Sequence, residues 1–421
     1  MHFALLGDHP DGIDAAHALV ATGRHALSLY CGPVPGIIRL QRMGLEPQRA
    51  ADVEEVLADS EIELVVVASA INERAAHLRR ALQSELHVLC VHPADPSPDI
   101  AYEAALIQSD TQRVLLPLLP MSVHPALRRF AELARDWQPM PVAVSEKPLP
   151  STSLSARMLE LEVWSTEEIL LEGDRDGSKP CVPAWDALRL VGGEIVEIYV
   201  QSAASALVRG QPLIVSGRFQ SGLLLQARYV PNQAEGRWSL SLVTPGGRAT
   251  LSFAQGWPGH AQLTFTDEAG QQQTEKWESA DPWLTFVAHF ESLLARPREK
   301  QAAPGKVDDA CLTSIPAALG WQDELRALEL DDAARRSAES GRSSTLDVQE
   351  VTEETSFKGT MTLVGCTLIW VTVAVLIASL WVPWLAWVLV PLLTIFLLLQ
   401  ALRWVLPGDT SKPRAPARPT K

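Results

Sequence analysis

Residues 62–93 read IELVVVASAINERAAHLRRALQSELHVLCVHP. Glu63 to Ser69 is a short apolar run rich in β-branched residues, bounded by charge before it and small polar residues after it. Such a run predicts a strand buried on both faces, as in a parallel sheet. Asn72 to Ser84 follows, with Ala75, Ala76, Leu78, Ala81 and Leu82 spaced to lay one apolar stripe of a helix on that sheet. His87 to Val91 is a second apolar run, stopped by His92-Pro93. Strand, helix and strand within about thirty residues make a βαβ unit. The loop that follows lies at the carboxyl edge of the sheet, where open α/β folds bind ligands.

Upstream, His2 to Leu6 predicts the first strand, ended by Gly7. A turn Gly7-Asp8-His9-Pro10-Asp11-Gly12 leads into a helix through Ala15, Ala16, Ala18, Leu19 and Val20. A dinucleotide fingerprint reads G-x-G-x-x-G, and its middle glycine lets the backbone approach the pyrophosphate. Gly7 and Gly12 hold the outer positions, but His9 holds the middle one. Pro10 then brings no N–H. Ala26 to Tyr30 predicts the second strand, and Tyr30-Cys31-Gly32-Pro33 offers no acid for ribose hydroxyls. Both departures predict weak dinucleotide binding. Short helices over 37–43 and 52–57 lead to the central block. Beyond it, a helix over 100–108, a strand over 114–117 and a helix over 125–136 complete a doubly wound half of about 120 residues.

From about Met140 the pattern changes. Leu159–Trp164, Glu194–Val200, Leu223–Val230, Trp238–Val243, Ala249–Phe253 and Ala261–Phe265 alternate apolar and polar residues. Turn residues such as Thr244-Pro245-Gly246-Gly247 separate several of them. That predicts an antiparallel sheet with one exposed face. Pro282–Ala295 and Asp308–Leu319 return to helix.

The central block resembles the glucose-fructose oxidoreductase and inositol dehydrogenase family, Gfo/Idh/MocA. There the first strand of this unit ends in Ala-Thr-Pro, the helix ends in Ala-Leu, and His-Val-Leu runs into Glu-Lys-Pro. Here Ala68-Ser69-Ala70, Ala81-Leu82 and His87-Val88-Leu89 running into Val91-His92-Pro93 match without a gap. The likeness extends over residues 1 to about 330. It implies an NAD- or NADP-dependent oxidoreductase acting on a sugar-like or cyclitol-like substrate. It implies cofactor contacts at Gly7, His9, Gly12, Ser69, Asn72 and Pro93. The family's proton-handling lysine falls on His92, and its glutamate on Val91. A family His-x-x-Asp pair, followed by arginine and glycine, falls on Pro183 and on Asp186, Arg189 and Gly192. His92 and Asp186 are therefore the catalytic candidates. Glu146-Lys147-Pro148 does not follow a parallel strand and reads as coincidence.

The chain has 421 residues, 47% of them hydrophobic, and a formal charge of −14. That acidity, with no basic stripe, argues against nucleic-acid binding. The five cysteines are scattered and never form CxxC. They read as free thiols in a reducing compartment, with neither a disulfide framework nor a metal site. No secretory signal stands before the first strand. Residues 331–358, rich in Ser, Asp, Glu and Arg, read as a flexible linker. Met361 to Gln400 holds no charged residue, enough for about 60 Å of helix against a hydrocarbon core of about 30 Å. Pro383, with Trp381, Trp384 and Trp387 around it, predicts a hairpin of two transmembrane helices. The basic tail and the missing export signal predict a membrane protein with its large domain and its tail cytoplasmic.

The expected architecture is thus an α/β Rossmann-like doubly wound parallel sheet over 1–120 and an α+β domain with an antiparallel sheet over 121–330. A linker over 331–358, a transmembrane helical hairpin over 359–406 and a tail over 407–421 complete it. The expected partners are a lipid bilayer and a small-molecule ligand, with association through the antiparallel sheet left open. Two functional readings stay open. One is a membrane-anchored NAD(P)-dependent oxidoreductase. The other is a non-catalytic, membrane-tethered relative that keeps the fold and has lost the lysine and the histidine.

Overall fold

A computed structural model of the chain describes residues 1–111, 113–136, 157–166, 182–203, 207, 210–253, 259–278, 281–295 and 319–346. The chain divides into two units, Met1–Val348 and Gln349–Lys421, and the second lies outside the described residues.

The first half alternates strand and helix: β1 (His2–Gly7), α1 (Pro10–Ala21), β2 (Ala26–Cys31), α2 (Val34–Arg42), β3 (Gln48–Arg49), α3 (Val53–Ala58), β4 (Ile62–Ala68), α4 (Ile71–Gln83), β5 (His87–Val91), α5 (Pro98–Thr111) and β6 (Leu115–Leu118). The strands form one parallel sheet in the order β3-β2-β1-β4-β5-β6. The order reverses between β1 and β4, and that switch point opens a crevice at the carboxyl edge. Leu64, Val65, Val66 and Val67 are fully buried, as a strand covered on both faces requires.

A single 3-10 turn (Pro120–Val123) leads into α6 (Pro125–Asp136). The second half holds β7 (Met158–Trp164), α7 (Trp185–Gly192), β8 (Ile195–Ser202), β9 (Leu213–Phe219), β10 (Leu224–Val230), β11 (Arg237–Thr244), β12 (Gly247–Phe253), β13 (Ala261–Asp267) and β14 (Gln272–Trp277). Two helices, α8 (Pro282–Leu294) and α9 (Trp321–Ser340), and a short β15 (Ser344–Thr345) follow. These strands form one sheet in the order β14-β13-β12-β11-β7-β10-β9-β8-β15. One core lies between this sheet and α6, α7 and α9. The other fills the parallel half, and α8 adds Phe286, Val287 and Phe290 to it.

Three expectations need revision. The second sheet is mixed rather than antiparallel, because β10 pairs with β7 in parallel, Leu224 opposite Met158 and Val230 opposite Trp164. Strand direction is set by the path of the chain, and side-chain alternation is the same either way. Residues 331–340 belong to α9 rather than to a linker, since Ala333 and Ala334 are fully buried there. Their small size let the stretch look polar while its helix packs closely.

The third revision concerns the two transmembrane helices. Among the described residues no helix is long and apolar enough to cross a membrane. The longest, α9, has 20 residues and carries Asp323, Glu324, Arg326 and Asp331. The expected hairpin over 359–406 lies outside the described residues. The bilayer partner and the membrane localisation expected from it are corrected with it. Asp308–Leu319 as a helix and Glu146-Lys147-Pro148 also fall on residues outside the description, apart from Leu319.

His124 links the two halves of the chain and is almost fully buried. Its ring packs edge-on against Phe253 at 5.3 Å, and its Nδ1 accepts the Ala126 N–H at 3.2 Å. Desolvation pushes its pKa down from about 6.5 to about 4. A proton on Nδ1 would also remove this acceptor from the first turn of α6. Between those values the unfolded chain takes up a proton that the folded chain refuses, so stability falls as the pH drops from about 6.5 towards 4. At full extent the loss is about 3 kcal/mol. Urea midpoints at pH 7 and pH 5 should differ more for the wild type than for His124→Gln. Equal differences would remove His124 as the source.

Candidate active site

The turn between β1 and α1 is built by contact with β4. Gly7 has φ +94°, and a Cβ there would stand 2.3 Å from the Ala68 carbonyl oxygen. A Cβ on Gly12 would stand 2.2 Å from the Ala68 Cβ, so α1 packs directly on β4. These are the roles of the first and third fingerprint glycines, a tight turn and close helix–strand packing. His9 takes a different part. Its N–H donates to the Ala68 carbonyl at 3.1 Å, and its Nδ1 accepts the Asp11 N–H at 3.3 Å. With Pro10 at the first helical position and the Asp11 carboxylate in the first turn, this helix start offers an anion fewer donors and a like charge. Beside it Tyr30 is buried and donates to the Pro33 carbonyl at 2.8 Å. A Cβ on Gly36 would stand 2.6 Å from the Asp8 Cβ, so the start of α2 closes against the turn.

The ends of β4 and β5 are held by Arg74 from α4, which is buried. Its Nε donates to the Ser69 carbonyl at 3.0 Å and its Nη1 to the Pro93 carbonyl at 2.6 Å. Ser69 is buried, with its Oγ 2.5 Å from His77 Nδ1. Pro93 is buried after a cis peptide bond, and Asn72 is exposed in the first turn of α4.

His92 follows β5 at the carboxyl edge. Its Nδ1 lies 2.7 Å from Oε2 of Glu324, a fully buried residue of α9. The other oxygen of Glu324 accepts the Ala94 N–H at 2.7 Å. Asp186 stands in the first turn of α7 and accepts the Ser122 hydroxyl at 2.7 Å. Burial pushes the Asp186 carboxyl above the usual range. Hydrogen bonds from Ser122 and the Ala187 N–H, and the charge of His92, pull it back. The corner before α7 is fixed from two sides. Val182 N–H and Trp185 Nε1 both donate to Asp331 Oδ1 at 2.8 Å, and Tyr229 donates to the Pro183 carbonyl at 3.0 Å. Pro183, where the resemblance would place a histidine, is thus part of a structural corner. Arg189 is held by Glu194 at 2.6 Å and Asp323 at 2.8 Å.

His92 and Asp186 line one cavity of about 500 Å³ between the parallel sheet's carboxyl edge and the mixed sheet. Trp164, Trp185, Trp238 and Trp283 are among the residues that line it, and Asp11 and Asp14 of α1 reach it. Burial raises the Asp14 pKa, and Arg39 and His17 lower it. The structure thus brings both catalytic candidates together. Gly7 and Ser69 sit at the adjoining strand ends, and Gly12 lies in the first turn of α1. Glu324 escaped the sequence reading, since it is 232 residues from His92 and no local pattern marks it.

No protein-family model and no curated protein matches the chain. Solved structures do match. One is a levoglucosan dehydrogenase in complex with NADH and L-sorbose: 12% identity, TM-score 0.61, 83% of this chain and 99% of that one. Another is the aldose-aldose oxidoreductase of Caulobacter crescentus complexed with glycerol: 14% identity, TM-score 0.60, 82% and 99%. A third is an oxidoreductase of Agrobacterium radiobacter in complex with NAD+, L-tartaric acid and magnesium: 15% identity, TM-score 0.57, 82% and 98%. The fold is that of the Gfo/Idh/MocA-type oxidoreductases. At these identities the likeness is one of fold alone.

The Gly12–Ala68 contact can be tested directly. Gly12→Ala must push α1 off β4 and should cost about 1–3 kcal/mol in urea unfolding. Adding Ala68→Gly should recover part of that loss. A double variant no more stable than Gly12→Ala would show that the contact is not the cause.

Proposed function

We propose that the chain is an oxidoreductase of this fold, with the cavity between the two sheets as its working site for a small sugar-like or cyclitol-like compound. The observation that carries this reading is the convergence of His92 and Asp186, from β5 and α7, on one tryptophan-lined cavity at the carboxyl edge. Of the tryptophans lining it, Trp164 and Trp283 are partly exposed and suit the C–H surfaces of a polyol ring, while carboxylates and an imidazole take its hydroxyl groups. His92 would take or return the proton of the reacting hydroxyl, work an imidazole performs near neutral pH. Asp186 would orient that hydroxyl.

The glycine cradle fits a dinucleotide in outline, because added Cβ atoms at Gly7 and Gly12 would collide with β4. The turn around Gly7, His9 and Gly12 would hold the phosphates, and Ser69 and Pro93 just past the strand ends, with Asn72 in the first turn of α4, would border the nicotinamide. NAD or NADP, when bound, supplies the hydride acceptor. The His9 cap, Pro10 and Asp11 weaken this binding.

Calorimetry should therefore give dissociation constants of tens of micromolar or poorer for NAD and NADP, roughly 6 kcal/mol or less. His9→Gly should tighten binding about threefold to tenfold, a change of about 1 kcal/mol. A submicromolar constant for the wild type would refute this account of the turn. Nicotinamide reduction with a panel of polyols, cyclitols and aldoses tests the reaction itself. With any substrate so found, His92→Ala should lower kcat by about 10²–10⁴. An undiminished kcat would remove His92 from the chemistry.

A further inference from the structure

We propose that Glu324 is the positioning residue for His92, fixing the imidazole so that Nε2 is the atom that exchanges a proton in the cavity. This rests on the reading of His92 given above. A carboxylate only accepts hydrogen bonds, so a neutral His92 that bonds Glu324 through Nδ1 must carry its hydrogen there. Nε2 then holds the lone pair. The second oxygen of Glu324 accepts the Ala94 N–H, two residues further along the same loop. The carboxylate thus grips the ring and the backbone beside it, which fixes both the rotation and the position of the imidazole.

Burial argues against an incidental contact. Glu324 is fully buried, and a carboxylate removed from water is tolerated only where close partners replace its hydration. One oxygen would suffice to satisfy the Ala94 N–H, yet the other is given to a histidine that lines the cavity. The charged groups around this imidazole come from several elements. They are Glu324 on α9, Asp186 on α7, Asp11 and Asp14 on α1, and Arg74 on α4, which binds the carbonyl of the next residue. Asp323 acts on Asp186 from α9. Among these groups carboxylates outnumber arginine around the ring. Glu324 is the carboxylate in contact with it.

Nitrogen-15 spectra of the histidine side chains in the full-length chain test this, with His92→Gln used to assign the signal. The neutral His92 should carry its hydrogen on Nδ1. Glu324→Gln should lower the His92 pKa by about one unit or more. It should also reduce kcat about tenfold and shift its pH profile by the same amount, with KM changed less than twofold. Glu324→Asp should restore part of the rate. A neutral His92 with its hydrogen on Nε2 would overturn the proposal, and so would a pKa unmoved in Glu324→Gln. Should Glu324→Gln not fold, the wild-type tautomer decides alone. The two readings separate cleanly. Normal turnover in His92→Ala would sink the catalytic reading while leaving the tautomer result standing.

Discussion

Two carboxylates on one face of α9 hold the cleft together. Glu324 and Asp331 are seven residues apart, two turns of helix, and both are fully buried. The first binds the loop after β5 through His92 and Ala94. The second binds the corner before α7 through Val182 and Trp185. One rigid rod therefore sets the spacing between the loop that carries His92 and the helix that carries Asp186. Loss of either carboxylate would leave buried donors without a partner, a cost of about 1–3 kcal/mol for each.

The parallel half was legible because its strands are covered on both faces and its βαβ spacing has few alternatives. The mixed sheet was legible in part. Strands with clear alternation, such as Leu159 to Trp164, stood out. The pattern of β9 is broken by Ser216 and Gly217, and β14 is an edge strand with nearly every residue exposed, so neither carries a clear period. The parallel pairing of β10 with β7 leaves no local mark. In α9, alanines and buried charges gave the composition of a solvated stretch, although their ion pairs and small side chains let the helix sink into the core.

The candidate site was legible only where the family likeness supplied positions. His92 and Asp186 came from that likeness, and the structure joins them in one cavity. Gly7 and Gly12 were readable as glycines, but their reason is a distance to Ala68 that no sequence displays. His9 looked like a defect in a phosphate loop. In the folded chain it caps the helix that follows, so the substitution has a local use even as it reduces the room for an anion.

The span between His92 and Glu324 has a consequence for the order of assembly. Closing a contact across 232 residues pays its loop entropy before any local reward. During synthesis the parallel half emerges first, with its crevice and its histidine but without the acid that orients the ring. A nascent chain stopped before α9 would hold an unfinished site. The surroundings of His92 are therefore complete only once α9 has been made.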